Sequence, residues 1–165
     1  MTHKTYLTIL SIAIFCSIFT NCNNRNQNEL HQVDVLLEKD SLSSASTLFD
    51  KINFTEINTP KDSALYYLID TYLKWQLDSD IISDDGIRYS LKYFSSTNDK
   101  VNQARALCWH GNVSFRLGNH SKGTNELKQA ELICRTLDKP LLKYHIYRSL
   151  SRVNSKFAEE CDAVA

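Results

Sequence analysis

Two amphipathic helices joined by a short turn are encoded in the segment ARALCWHGNVSFRLGNHSKGTNELKQAELI, which spans Ala104–Ile133. Apolar residues recur at helical spacing on both sides of Gly118, the residue that precedes the turn. The stripe before the turn includes Leu107, Val113 and Phe115, and the stripe after it includes Leu127, Ala130 and Ile133.

The same pattern of helices extends over most of the chain, from Glu29 onward. Thr59-Pro60 supplies a capping residue and a proline at the first helical position, and Ser83-Asp84-Asp85 supplies a cap with acidic residues that suit a helix start. Under a shift of 40 residues, Ala64–Trp75 aligns with Ala104–Phe115. Helix-turn-helix units of about 34–47 residues are typical of α-solenoids. We therefore predict an all-α fold built as an α-solenoid.

Composition excludes several other classes of protein. Four Gly and two Pro among 165 residues are too few for a turn-rich sandwich or barrel, or for collagen. A hydrophobic content of 42% is too high for an intrinsically disordered chain. Nineteen basic and nineteen acidic residues give zero net charge, so nothing in the total charge indicates direct binding of nucleic acid, which we do not expect.

The segment Ala104–Ile133 resembles a tetratricopeptide repeat. The residues that carry the resemblance are the large Leu107, Gly111 and Gly123 where paired helices approach closely, Gly118 before the turn, and Ala130. The resemblance extends over roughly Glu29–Ala163. It implies four helix pairs within residues 29–165, the last of them incomplete, and it implies binding of proteins or peptides rather than catalysis.

An export signal is predicted at the N-terminus. His3 and Lys4 precede an apolar run, Tyr6–Phe19, that is shorter than the roughly 20 residues a helix needs to span a bilayer. The run ends in Phe19-Thr20-Asn21-Cys22, which resembles the lipobox of bacterial lipoproteins. The resemblance implies a signal peptide at 1–21, a lipid on Cys22 and a polar tether at 22–28. A plain cleaved signal or a short uncleaved anchor is the alternative.

The order of these segments is similar to that of Bacteroidetes envelope regulators, in which a signal precedes a weak hairpin and tetratricopeptide repeats. This resemblance implies an envelope-anchored scaffold or, alternatively, the exported sensory portion of a membrane-bound transcriptional regulator or histidine-kinase-like protein. It also leads us to expect that the sequence is the N-terminal part of a longer protein. Residues 23–28, directly after Cys22, contain no acidic residue. The acidic surface-export tag of some Bacteroidetes lipoproteins is thus missing, which favours a position facing the periplasm.

Motifs for catalysis or for metal binding are missing from the sequence. It contains no phosphate-binding loop, nucleophile elbow or HExxH motif. The acidic residues around Asp84 lack the spacing of a calcium loop, and Cys108 and His110 point to different sides of a helix. We predict no enzymatic activity, catalytic residue, cofactor or metal, and we expect His110 to be a partly buried core residue.

The cysteines divide by position. Cys16 falls in the signal and Cys22 would carry lipid, which leaves Cys108, Cys134 and Cys161. An odd number without a CxxC spacing disfavours zinc and a redox dithiol. Buried thiols are expected, although one disulfide is possible in an exported protein.

Tetratricopeptide repeats bind partners along the surface formed by the first helix of each pair, and this implies a peptide-binding groove. Under the 40-residue shift its exposed positions are Tyr72, Trp75, Arg105, Asn112, Phe115, His145, Arg148 and Arg152. The alternative is that Tyr72 and Trp75 pack between neighbouring units and that the arginines form a solvated face. Charge supports the groove, because Glu29–Asp99 has a net charge of −7 and Lys100–Phe157 one of +8. An extended protein segment that bears carboxylates is the expected partner.

Overall fold

The computed structural model describes residues 27–162, and the side chains of residues 27–156. The described residues contain seven α-helices, one 3-10 helix and no β-strand, which confirms the all-α prediction for this part of the chain. The helices are α1 (27–38), α2 (Leu42–Phe49), the 3-10 helix (Phe54–Glu56), α3 (Pro60–Gln76), α4 (Asp85–Ser95), α5 (Lys100–Arg116), α6 (His120–Cys134) and α7 (Pro140–Asp162).

The predicted signal peptide at 1–21, the lipidated Cys22 and most of the tether at 22–28 lie outside the described residues. Residues 27 and 28 belong to α1. Among residues 27–162, every helix is either too short or too polar to span a bilayer.

The chain divides into two compact units, with the boundary in the first turn of α3, between Ser63 and Ala64. In the first unit, the buried residues recur at helical spacing along α1 and α2. The start of α3 is capped as the sequence predicts, because the Asp62 backbone N–H donates to Thr59 Oγ1 at 3.0 Å. Among the described residues of this unit, the buried hydrophobic ones are Leu30, Val33, Leu37, Ala45, Phe49 and Ile52.

The second unit contains α4 to α7 and the part of α3 from Ala64 onward. Within it α5 packs against α4, α6 and α7. The helices α5 and α6 approach each other closely at two glycines: a Cβ atom on Gly123 would lie 2.5 Å from the Gly111 carbonyl oxygen, and one on Gly111 would lie 2.9 Å from the Gly123 carbonyl oxygen. The expected close crossing at Gly111 and Gly123 is therefore confirmed.

The helices of the second unit follow the 40-residue shift. The helices α3, α5 and α7 begin at Pro60, Lys100 and Pro140, so their starts are 40 residues apart. The ends of α3 and α5 also correspond. The residue two positions after each helix has a left-handed backbone, at Asp78 (φ 52°) and Gly118 (φ 88°). The architecture is thus repeat-like and helical.

Candidate binding cleft

An open cleft of about 480 Å³ lies where the ends of α3 and α5 meet the exposed face of α7. We call it the basic cleft. Arg148, Arg152 and Lys156 reach it from α7 because residues four apart lie on one face of a helix. Four cationic side chains and one carboxylate give its lining a net charge of +3. The lining residues are Trp75, Gln76, Asp78, Phe115, Arg116, Arg148, Arg152 and Lys156.

Aromatic rings hold three of the four cations in place. The guanidinium carbon of Arg116 lies 4.4 Å from the centroid of the half-buried Trp75 ring, and that of Arg152 lies 5.3 Å from it. Lys156 Nζ lies 5.3 Å from the centroid of the Phe115 ring. Such cation–π contacts contribute about 0.5–1 kcal/mol each at exposed sites. They also leave the N–H groups of Arg152 and Lys156 able to donate to a ligand.

The positive charges of the basic cleft are only partly neutralised. Arg116 forms an ion pair with Asp78 at 3.3 Å. Among the described side chains, no carboxylate forms an ion pair with Arg148, Arg152 or Lys156. Burial lowers the pKa of Arg152, and the neighbouring charges of Arg148 and Arg116 lower it further. An anionic group bound here would relieve this repulsion.

Four of the eight predicted groove residues line the basic cleft: Trp75, Phe115, Arg148 and Arg152. The expectation that Tyr72, Asn112 and His145 are exposed is wrong, because all three are buried. Arg105 is half-buried, hydrogen bonds to Asn102 at 2.8 Å and is not part of the cleft. A binding role for the four residues in the cleft stays a prediction.

The three buried residues pack between neighbouring helices. The ring centroid of Tyr72 lies 4.9 Å from that of Trp109 and 5.5 Å from that of His145, so α3, α5 and α7 meet in one aromatic cluster. Asn112 Nδ2 donates to Ser149 Oγ at 2.8 Å and joins α5 to α7. These contacts stabilise the helices that carry the cleft and leave these side chains little surface for a partner.

The cleft is also lined by four residues that the sequence pattern did not single out: Gln76, Asp78, Arg116 and Lys156. The signal for three of them was available, because Gln76, Arg116 and Lys156 are related by the same 40-residue shift. Gln76 directly follows Trp75, Arg116 directly follows Phe115, and Lys156 is the equivalent residue in α7. The shift identifies equivalent positions, but only the structure shows which of them share a cleft.

His110 lies in a second polar cluster, outside the basic cleft. It is 2% exposed, which confirms the prediction of a core residue. Its Nδ1 lies 2.9 Å from Glu126 Oε1 on α6, and its Nε2 lies 3.2 Å from Asp84 Oδ2 at the start of α4. The cluster therefore joins three consecutive helices through one side chain.

The Asp84 carboxylate is ionised more readily than an ordinary aspartate. Burial alone would raise the pKa of Asp84, but the hydrogen bond with His110 and the positive charges of Arg88 and Lys122 outweigh burial and lower it. Asp84 was predicted as part of a helix cap. Its side chain makes no cap hydrogen bond to α4 and contacts His110 instead.

Two cysteines have their side chains within the described residues. Cys108 and Cys134 are buried and free. Burial raises the pKa of the Cys108 thiol to about 12 and also raises that of Cys134. Over residues 27–156, no group of three or more His, Cys, Asp and Glu side chains is placed to hold a metal ion. The side chain of Cys161 lies outside the described residues.

The chain matches no family model, no curated protein and no solved structure. The chemistry of the basic cleft is therefore the basis on which we infer a function.

Proposed function

We propose that the chain is a non-enzymatic scaffold of the tetratricopeptide type, anchored in a bacterial cell envelope, that binds an extended protein segment bearing carboxylates. The single observation that carries this proposal is the basic cleft, in which Arg116, Arg148, Arg152 and Lys156 surround Trp75 and Phe115. Arginine pairs bidentately with carboxylates, and aromatic residues with arginine supply most of the binding energy at protein interfaces.

Two features of the helices support this proposal: the first supports a helical solenoid in general, and the second supports the tetratricopeptide type. The starts of α3, α5 and α7 are 40 residues apart, within the repeat lengths of helical solenoids. The two glycines at the α5–α6 crossing stand at the positions that the sequence resemblance predicts for close contact. The basic cleft is formed by those three helices, which correspond to the first helix of each pair.

A labelled acidic peptide tests the binding proposal. We expect fluorescein-labelled hexaglutamate to bind the full chain at 0.15 M salt, measured by fluorescence anisotropy, and hexaglutamine to bind at least tenfold more weakly. Charge reversal in Arg148→Glu/Arg152→Glu weakens hexaglutamate binding by about tenfold, because two favourable ion pairs become repulsive.

The matched control is Lys92→Glu/Lys128→Glu, which makes the same change in net charge at two exposed residues outside the cleft. We expect it to weaken binding by less than about twofold, since distant exposed charges are screened. Equal losses in the two double variants would contradict a site in the basic cleft. Circular dichroism of each variant verifies that the helices remain folded.

Envelope anchoring has its own support and its own test. The support is the sequence pattern that ends at Cys22, and several acyl chains on one residue give stable membrane attachment. Metabolic labelling with a radioactive fatty acid is expected to mark the wild-type protein and not the Cys22→Ala variant. Equal labelling of both proteins would refute lipidation at Cys22.

A further inference from the structure

Asp78 is an aspartate in a backbone conformation that glycine adopts most easily. It lies two residues after the end of α3 with φ at 52°, and the next backbone N–H, that of Ser79, donates to the Lys74 carbonyl oxygen at 2.9 Å. The equivalent residue after α5 is Gly118, followed by the bond from Asn119 N–H to the Ser114 carbonyl oxygen at 2.8 Å. Glycine is the usual residue at this place because it has no Cβ atom to clash.

The side chain of Asp78 reaches a cation of the basic cleft. Its Oδ1 accepts from Arg116 Nη2 at 3.3 Å, while Arg116 Nη1 donates to the Ser79 carbonyl oxygen at 3.3 Å. The Asp78 side chain is 94% exposed. Among the described residues that line the cleft, Asp78 is the one carboxylate. Because an exposed ion pair of this kind is weak, another carboxylate can replace it.

We propose that Asp78 competes with the partner for the basic cleft. Its carboxylate pairs with Arg116 and is displaced when a partner with a run of acidic residues binds. This inference rests on the proposed function and deepens it. One incoming carboxylate takes the place of Asp78 on Arg116, and further carboxylates meet Arg148, Arg152 and Lys156.

The number of cations determines the kind of partner. A ligand with a single carboxylate replaces the Asp78 ion pair at Arg116 by another ion pair. This exchange adds little to the free energy of binding. A ligand with several consecutive carboxylates also pairs with the α7 cations, which have no ion-pair partner among the described side chains. The cleft therefore selects an acidic run over an isolated acidic residue, and Asp78 strengthens that selection.

The Asp78→Asn variant tests this inference, since asparagine also tolerates a left-handed backbone. We expect it to bind labelled hexaglutamate about threefold to fivefold more tightly than the wild type, because the competing charge is gone. The matched control is Asp80→Asn, in the same loop and exposed but outside the cleft lining. We expect less than about a 1.5-fold change for it at 0.15 M salt.

A second pair of proteins separates a local effect from general repulsion. In an Arg116→Gln background, Asp78→Asn is expected to leave the affinity unchanged, because the residue for which Asp78 competes is missing. A gain that persists in this background, or an equal gain in Asp80→Asn, would overturn the inference and leave the proposed function standing. Failure of both the wild type and Asp78→Asn to bind hexaglutamate in preference to hexaglutamine would overturn both.

Discussion

Substitution of Gly123 by alanine is the sharpest test of how the helices pack. A Cβ atom at this position would lie 2.5 Å from the Gly111 carbonyl oxygen, 2.9 Å from the Phe115 backbone nitrogen and 3.0 Å from Phe115 Cβ. Ordinary contact begins at 3.4 Å, so α5 and α6 would have to separate by about 0.9 Å. Two of these three atoms belong to the backbone, which cannot turn aside as a flexible side chain can.

The expected cost follows from two opposing effects. Overpacking of a tight contact costs about 1–3 kcal/mol, and the value here lies at the upper end because backbone must move. Alanine recovers about 1 kcal/mol because it is a better helix former than glycine. We therefore expect Gly123→Ala to lower the free energy of unfolding by about 2 kcal/mol. Urea unfolding followed by tryptophan fluorescence is the assay, since Trp75 and Trp109 both lie in the second unit.

The control for this experiment is Gly118→Asn. A Cβ atom at Gly118 meets nothing within 4 Å, and asparagine tolerates the left-handed backbone at φ 88°. We expect a loss of at most about 1 kcal/mol there. A Gly123→Ala protein that unfolds at the same urea concentration as the wild type, or at a higher one, would refute the close α5–α6 crossing.

Two further predictions follow from the shifted pKa values. Burial raises the pKa of the Cys108 thiol to about 12. We therefore expect iodoacetamide at pH 8 to alkylate Cys108 at least a hundredfold more slowly in the native protein than in urea. Mass spectrometry of the peptide Ala106–Arg116 measures the two rates, and equal rates would contradict this prediction. The lowered pKa of Asp84 means that its stabilisation is present above its unfolded-state pKa, near 3.8, and is lost as the pH falls through the lower folded-state value. In urea unfolding, Asp84→Asn should therefore be less stable than wild type at pH 6, with a difference that shrinks toward pH 3, whereas a constant difference would exclude this carboxylate as the cause. The control for this comparison is the Asp85→Asn variant, unfolded in urea at the same pH values.

Features that depend on neighbouring residues in the chain were predictable. The spacing of apolar residues indicates the helices, and Thr59-Pro60 fixes the start of α3. The shift of 40 residues anticipates equivalent starts at Lys100 and Pro140. Gly111 and Gly123 indicate a close crossing because only residues without a side chain permit it. Each of these inferences needs only local chemistry and one repeat length.

Features that depend on depth and on distant partners were not predictable. The shift places Tyr72, Asn112 and His145 on the correct helices but cannot show that Trp109 and Ser149 bury them. The partners of His110 come from α6 and from the start of α4, at separations of 16 and 26 residues, and no local pattern links them. The contact of Asp78 with Arg116, 38 residues away, is of the same kind.

Photo-crosslinking tests most directly whether the basic cleft is the binding site. A hexaglutamate peptide with a terminal photoreactive group is bound to the full chain, irradiated and mapped by mass spectrometry. We predict crosslinks in the segments that contain Trp75–Asp78, Phe115–Arg116 and Arg148–Lys156, with a marked loss in Arg148→Glu/Arg152→Glu. Crosslinks spread over other surfaces, or an unchanged pattern in that variant, would contradict the account.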